Sequence, residues 1–439
     1  MNSSNPLWNF FRSVQLAIFT LLALALTSII GTIVPQGRPF EYYVKEYGEA
    51  TARLLHIFDI PEMYSSWWFL TLLVLLTVNL IVCSIDRFPL ALSQMTLDQT
   101  SLTRDRLEKM SFTHVFDGGS STIYATLATT LQNDGWHITT RKTSEGEITA
   151  AQKERWSRIG VYVVHSSILV IFAGAFIGSF FGYKGSVLIP ETKATDTIYS
   201  STTQAPIDLG FTVRCDHFEI EFYENTMPKD YRSRLTVLEN GKEVLVKDIE
   251  VNHPLKYRGV TFYQSSYQGY QDFLITLTGS ANRSETLIAP FQQEMTFAKE
   301  EVKIGVINAE ALRDRVVRVK IWLQHGQNPP ITLWLNPQEP TSLQAHGLAS
   351  TLTVKQMYAT GLQVAKDPGV WIVYLGFLLM LSGLYIAFFM SHRRIWLVHD
   401  ADTSGSVLLA GTSNKNRVGF EKQFNELVAS ITAGGKKGE

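Results

Sequence analysis

Residues 157–183 read SRIGVYVVHSSILVIFAGAFIGSFFGY. The run from Ile159 to Gly182 is apolar and about as long as the roughly 20 residues a helix needs to cross a hydrocarbon core of about 30 Å. It nevertheless carries an ionisable imidazole, His165, one third of the way in. Ionisable groups inside a membrane are costly, so they face protein or a cavity and are functional candidates by default. A neutral imidazole can equally serve as a hydrogen bond between helices. Gly174, Gly178 and Gly182 recur at four-residue spacing, a seam of small residues that predicts close approach of a neighbouring helix. With 3.6 residues per turn, Gly174 lies about 180° around the axis from His165. The seam and the imidazole therefore point in opposite directions.

Three further runs share that length: Val14–Val34, Trp67–Ile85 and Val370–Met390. The first resembles a signal peptide in its short flank with Arg12, but its apolar run is too long and TSIIGTIVPQG is a poor cleavage site. It is read as a retained helix. Trp67, Trp68, Trp371 and Tyr183 mark the ends of runs, as interfacial aromatics do. Basic residues flank one side of the set: Arg12, Arg87, Lys153, Arg155, Arg158, Arg393 and Arg394. By the positive-inside rule both termini and residues 86–158 face the cytoplasm. The acidic loop 35–66 and the long segment 183–369 then face outward. The expected class is a membrane protein with four transmembrane helices, a large extracytoplasmic all-β domain and small cytoplasmic α/β elements. Its divisions are an N-terminal membrane hairpin 1–85 (helices about 14–34 and 67–85), a cytoplasmic segment 86–158, the third helix 159–182, the β domain 183–369, the fourth helix 370–390 and a cytoplasmic tail 391–439.

The outer segment alternates apolar and polar residues in stretches such as FTVRCDHFEIEFY and DFLITLTG, and Asn240-Gly241 supplies a hairpin turn. An antiparallel sandwich or barrel is expected. The inner segment predicts an amphipathic helix followed by a hairpin. The tail predicts a hairpin around HDADTSGS, a helix in VGFEKQFNELVASI and a disordered AGGKKGE terminus.

A formal net charge of −1 and the lack of a dense basic stripe exclude nucleic acid as the main partner. Two cysteines, Cys83 and Cys215, with no CxxC spacing, exclude a disulfide framework or a thiol-redox pair, and Cys83 reads as a small buried side chain. No Asp, Glu, Lys or Arg interrupts the centre of any run, and Asn79 is the one strongly polar companion of His165. A proton relay or ion-coupled transporter therefore finds no support. Neutral histidine is a ready ligand for a metal or a haem iron, but one histidine is half a site.

Four stretches together resemble the ResB family, also called Ccs1 or, in some bacteria, CcsB, of System II cytochrome c biogenesis. They are RSVQLAIFTLLALALTSIIGTIVPQ, RIGVYVVHSSILVIFAGAFIGSFFGYKG, VNHPLKYRGVTFYQSSY and KDPGVWIVYLGFLLMLSGLYIAFFMSHRRIW. The third is the most specific, through Asn252, Pro254, Leu255, Tyr257, Gly259, Phe262, Tyr263 and Gln264. The likeness extends over nearly the whole chain.

The resemblance implies a subunit of a cytochrome c synthetase. With a CcsA (ResC)-type haem-handling partner, it carries haem b across the membrane and presents it to the CxxCH cysteines of apocytochrome c. His165 matches the family's intramembrane axial ligand to the haem iron, and the partner supplies the opposing histidine and the tryptophan-rich WWD segment, which SSWWF here does not match. Thiol-reducing proteins are further candidate partners. The chain is not expected to be catalytic alone, so "enzyme" is a property of the complex. The bacterial cytoplasmic membrane is the expected location, with a thylakoid left open. The competing reading is a scaffold that docks apocytochrome c on its β domain without binding haem. Secondary candidates each have a plain alternative. His253 reads as an external ligand or a turn residue, Cys215 with His217 as a metal pair or ordinary strand sequence, the aromatics of VTFYQSSYQGY as a docking platform or core, and Arg393 and Arg394 as haem-propionate contacts or cytoplasmic anchors.

Overall fold

The computed structural model of the protein describes residues 5–117, 120–143, 146–223, 227–279, 283–312, 315–400 and 406–435. It contains two compact units, Met1–Ala175 with Val370–Glu439, and Phe176–Gly369. Helices among the described residues are α1 (Pro6–Phe11), α2 (Val14–Ile33), α3 (Phe40–Tyr47), α4 (Glu49–Ile57), α5 (Trp67–Thr96), α6 (Arg104–Glu108), α7 (Ser120–Asn133), α8 (Gly160–Phe181), α9 (Val370–Phe389) and α10 (Arg417–Gly435). Four of them, α2, α5, α8 and α9, are long and apolar enough to cross a membrane.

In the first unit, serine caps start two of these helices: Ser13 Oγ accepts from Gln15 N and Ser66 Oγ from Phe69 N. Helix α5 does not stop at Ile85 with its apolar run. It continues through Pro89 to Thr96, because Leu90, Ala91, Leu92, Gln94 and Met95 favour helix whether or not lipid surrounds them. At about 1.5 Å per residue its 30 residues span about 45 Å, longer than the hydrocarbon core.

The close helix contact follows only the first member of the predicted glycine seam, Gly174, which is buried at seven-residue spacing with Ser167 and Gly160. A Cβ at Gly160 would lie 2.7 Å from Ala387 N, one at Gly383 2.8 Å from Val164 N, and one at Gly376 3.1 Å from Ser167 O. Helices α8 and α9 thus meet through Gly160 and Ser167 on one side and Gly376 and Gly383 on the other. Gly178 and Gly182, in the second unit, abut Asp367 and the Lys366 carbonyl rather than a neighbouring helix. Spacing alone does not distinguish a glycine facing a helix from one facing a loop.

The inner segment and the tail, separate in sequence, build one antiparallel sheet. Its order is Phe112–Phe116, Val407–Ser413, Arg393–Asp400, Gly146–Lys153, His137–Thr143. On one face Leu127, Leu131, Phe420 and Phe424 of α7 and α10 pack on Ile395, Leu397, Val407 and Leu409. On the other, Leu107 covers Trp396, whose Nε1 donates to the Gln99 carbonyl at 2.8 Å. The predicted tail turn at HDADTSGS lies largely outside the described residues. The terminus is ordered further than expected, since α10 runs to Gly435.

The second unit is all β apart from the helix end it shares. A 10-stranded sheet is joined by a 4-stranded one over Glu294–Phe297, Val302–Leu312, Arg315–His325 and Ile331–Leu335. Two long strands, Val260–Gly279 and Ser350–Lys366, pair along their length with irregularities at Gln264/Ser266 and Gly269/Phe273. These irregularities divide the unit into two cores, one around Phe218, Phe262 and Leu362 and the other around Phe273, Ile304 and Val354. The expected antiparallel sandwich or barrel is therefore a two-lobed β unit. Asn240 and Gly241 both take positive φ, as a type I′ hairpin turn requires.

Candidate functional site

His165 sits on the sixth residue of α8, off the line of contact with α9. Its Nδ1 lies 2.9 Å from Ser84 Oγ on α5. With the Ser84 hydroxyl accepting from Nδ1–H, Nε2 keeps its lone pair, the state a metal-binding imidazole needs. Ile168, Leu169 and Phe172, on the following turns of α8, pack with Leu76 and Leu80 of α5.

His165 opens on a cavity of about 750 Å³ whose walls include Leu21, Leu76, Leu80 and Ile168. Cys83 is also on its wall, half-buried rather than enclosed in the core. Asn79 turns away to cap backbone, donating from Nδ2 to the carbonyls of Phe11 (2.6 Å) and Ser13 (3.0 Å). Tyr162 stands with its ring centroid 6.4 Å from that of His165 and packs edge-on against Phe88.

Arg87, Arg158 and Lys415 line the same cavity, and among the described residues no Asp or Glu does. Arg158 Nε donates to His392 Nδ1 at 2.9 Å and its Nη1 donates to Gln94. His392 is fully buried, with Nε2 3.1 Å from Gln152 Oε1. Because arginine only donates, His392 must accept at Nδ1 and donate from Nε2, and is held neutral. Burial first, then the charges of Arg394, Arg158 and Arg155, lower its pKa from 6.5 to about 4. A depressed histidine stabilises the fold fully above the unfolded value and less as pH falls. Between pH 7.5 and 4 the sheet unit should lose about 3 kcal/mol of unfolding free energy, nearly all of it below pH 6.5. Denaturant titrations at several pH values would measure this, and His392→Asn should flatten that part of the profile.

The other sequence candidates are dispersed. Arg393 pairs with Glu154 at 2.7 Å, and Arg394 donates to Gln99 Oε1 at 3.1 Å while stacking over Trp396. Both serve the sheet and neither lines the cavity. Cys215 and His217 are separated by a register shift that puts Cys215 in the core and His217 outside. Burial, then Glu191 and Asp216, push the Cys215 thiol up to about 12, so the pair is no metal site. His217 instead contacts Glu191, Nδ1 to Oε1 at 2.9 Å. His253 does the same with Glu250 at 2.9 Å, in a turn where Asn252 takes φ 70°. Both histidines line a surface cleft of about 600 Å³, but Arg232 and Arg234 beside them are already paired with Glu250 and Asp248. Phe262 is fully buried and Tyr267 packs against Phe218 and Tyr358, so these two aromatics are core, whereas Tyr263 faces outward. Gln264 lies beneath them, accepting from Ser233 (2.5 Å) and Thr360 (3.0 Å).

Sequence reasoning missed Ser84 and Lys415 and saw Arg87 and Arg158 only as topological anchors. Nothing in a single sequence brings residues 84, 158 and 415 together. The single hint was the position of Ser84 near the C-terminal end of its apolar run, level with His165 near the start of the next.

Four apolar helices, an antiparallel sheet built from two separate stretches of the first unit, a two-lobed β unit and one imidazole on a cavity between apolar helices define a polytopic membrane protein. The chain belongs to the ResB-like family, which matches residues 14–356 and 306–425. It is 26% identical to the cytochrome c biogenesis protein Ccs1 of Rhodomonas salina, over 96% of each chain. It is 29% identical to the cytochrome c biogenesis protein CcsB of Gloeobacter violaceus, over 95% of this chain and 90% of that one. The CcsB protein of Trichormus variabilis is 28% identical over 96% and 91%.

Proposed function

We propose that this chain acts in cytochrome c maturation by holding haem b in the membrane on His165 and, with a CcsA/ResC-type partner, passing it outward to apocytochrome c. The observation that carries the reading is the cavity. A scaffold helix pair would be served by the Ser84–His165 bond alone, whereas a space of about 750 Å³ beside that bond is suited to a ligand. The donor set fits haem: one neutral imidazole, apolar walls and cations near the imidazole.

When bound, haem supplies the vinyl groups to which the CxxCH thiols add. His165 binds at Nε2, Ser84 holds the ring through Nδ1, and Leu76, Leu80 and Ile168 keep water from the imidazole. A second ligand to the iron would come from the partner. Both termini and the antiparallel sheet of the first unit lie in the cytoplasm and the β unit outside, where it meets apocytochrome c and thiol-reducing proteins. The membrane is the bacterial cytoplasmic membrane. The chain works within a synthase complex and is not catalytic alone.

The test is the absorption spectrum of the full chain purified from membranes with its partner. A Soret band in proportion to the chain supports the reading, and its absence under gentle extraction overturns it. Ser84→Ala should weaken haem retention about tenfold, the scale of losing a hydrogen bond behind a ligating histidine. It should also shift the reduction potential of the bound haem, and Ser84→Thr should restore both. A purely structural serine would move neither the potential nor its rescue.

A further inference from the structure

We propose that Arg87, Arg158 and Lys415 form a subsite for the carboxylates of the ligand that His165 binds, so that a porphyrin lies with its acidic edge toward this basic end. The inference rests on the haem-binding reading above and adds an orientation and a selectivity to it.

Three cations from three separate elements converge on one cavity. Arg87 comes from α5, Arg158 from the turn that leads into α8, and Lys415 from the link between strand Val407–Ser413 and α10. Among the described residues none of them has a carboxylate partner. Among the described residues Arg158 donates only to His392 and Gln94, Lys415 only to the Ala387 carbonyl at 2.6 Å, and Arg87 to no side chain or carbonyl. Neighbouring cations behave differently: Arg12 pairs with Asp86 and Arg393 with Glu154. The cleft on the β unit also carries arginines, but it holds carboxylates beside them and its arginines are already paired.

His392 contributes by accepting at Nδ1. It takes the Arg158 Nε–H and leaves the charge of Arg158 uncancelled, which an aspartate in its place would not. Arg158, in the turn seven residues before His165, lines the same cavity as the imidazole. A flat apolar ligand with anionic groups at one edge fits that arrangement, since charge-assisted bonds to arginine are the strong ones.

The test uses the full chain in discs of zwitterionic lipid, titrated with haemin and with haemin dimethyl ester and followed at the Soret band. Wild type should bind the diacid at least about tenfold more tightly than the ester. Arg87→Gln/Lys415→Gln, which leaves the Arg158–His392 contact in place, should bring that ratio to about threefold or less, mainly by weakening the diacid. Equal binding of diacid and ester by wild type, still dependent on His165, would overturn the carboxylate subsite and leave haem binding intact. A diacid preference unchanged in the double variant would overturn the assignment to these residues. If neither compound shifts the band, or if His165→Gly binds both as wild type does, the haem reading itself fails. Repeating the titration with anionic lipid separates a headgroup site: if the lipid displaces haemin only through Arg87 and Lys415, the cations still recognise the haem carboxylates, and if it binds there without displacing haemin, the proposal falls.

Discussion

Replacing His165 with glycine is expected to strip the haem from the purified chain and its partner, and millimolar imidazole is expected to bring it back. The loss should exceed the roughly 10–100-fold that removal of a supporting hydrogen bond costs a metal site, because the ligand itself is gone. Glycine leaves a gap beside Ser84 on α5 that an imidazole molecule can fill, and the Ser84 hydroxyl can orient it as it orients His165 at 2.9 Å. Position 165 is off the α8–α9 contact, which runs through Gly160, Ser167, Gly376 and Gly383, so the helix pair should survive the change. Cys83 supplies the control. Its thiol and the Tyr162 phenol are also on the cavity wall and able to bind iron, and Cys83→Ser and Tyr162→Phe should each leave the Soret band in place if the partner provides the second ligand. A His165→Gly protein with an unchanged band and intact cytochrome maturation would reduce His165 to a helix-packing group.

The parts of this site visible in the sequence were those that break a local rule. An imidazole in an apolar run stands out against its neighbours, and so did the four runs, because membrane length and composition are properties of contiguous residues. The strands of the second unit were equally legible from alternation, and the Asn240-Gly241 turn from its dipeptide. What stayed hidden was produced by distance in the chain. Strand Arg393–Asp400 pairs with Gly146–Lys153, so the inner segment and the tail are one sheet, a pairing no periodicity reveals. The register shift at Cys215/His217 reverses which face each side chain takes, and turns a metal-like Cys-x-His into a core thiol and a surface imidazole. The glycine seam misled for a similar reason. Four-residue spacing identifies a face of small residues, but what occupies it depends on residues near 366 and 376.

A second large effect is expected far from the cavity, in the β unit. Glu191 has a side chain only 2% exposed and accepts from Lys355 Nζ at 2.7 and 3.0 Å, and from Phe218 N at 3.1 Å. Burial opposes its charge most strongly, but His217, Lys355 and the Phe218 N–H together outweigh burial and hold the carboxyl below its usual range. Lys355→Met removes the main counter-charge and leaves a buried carboxylate with one exposed histidine as company. Breaking a buried pair from one side costs about 3–5 kcal/mol, whereas replacing both partners with apolar groups is often nearly neutral. Lys355→Met should therefore destabilise the β unit of the full chain by about that amount, and Glu191→Leu/Lys355→Met should recover most of it. The sign of the pH response gives an independent check. A lowered carboxylate stabilises above its unfolded pKa of 4.5 and loses that contribution as pH falls through the folded value. The wild-type unit should thus weaken below pH 4.5, while Lys355→Met should regain stability relative to wild type there, because its stranded carboxylate can then be protonated. Hydrogen exchange of strand Ser350–Lys366 at pH 7 and pH 4 would read both effects. Equal protection in wild type and Lys355→Met at pH 7 would mean that solvent, rather than Lys355, neutralises Glu191.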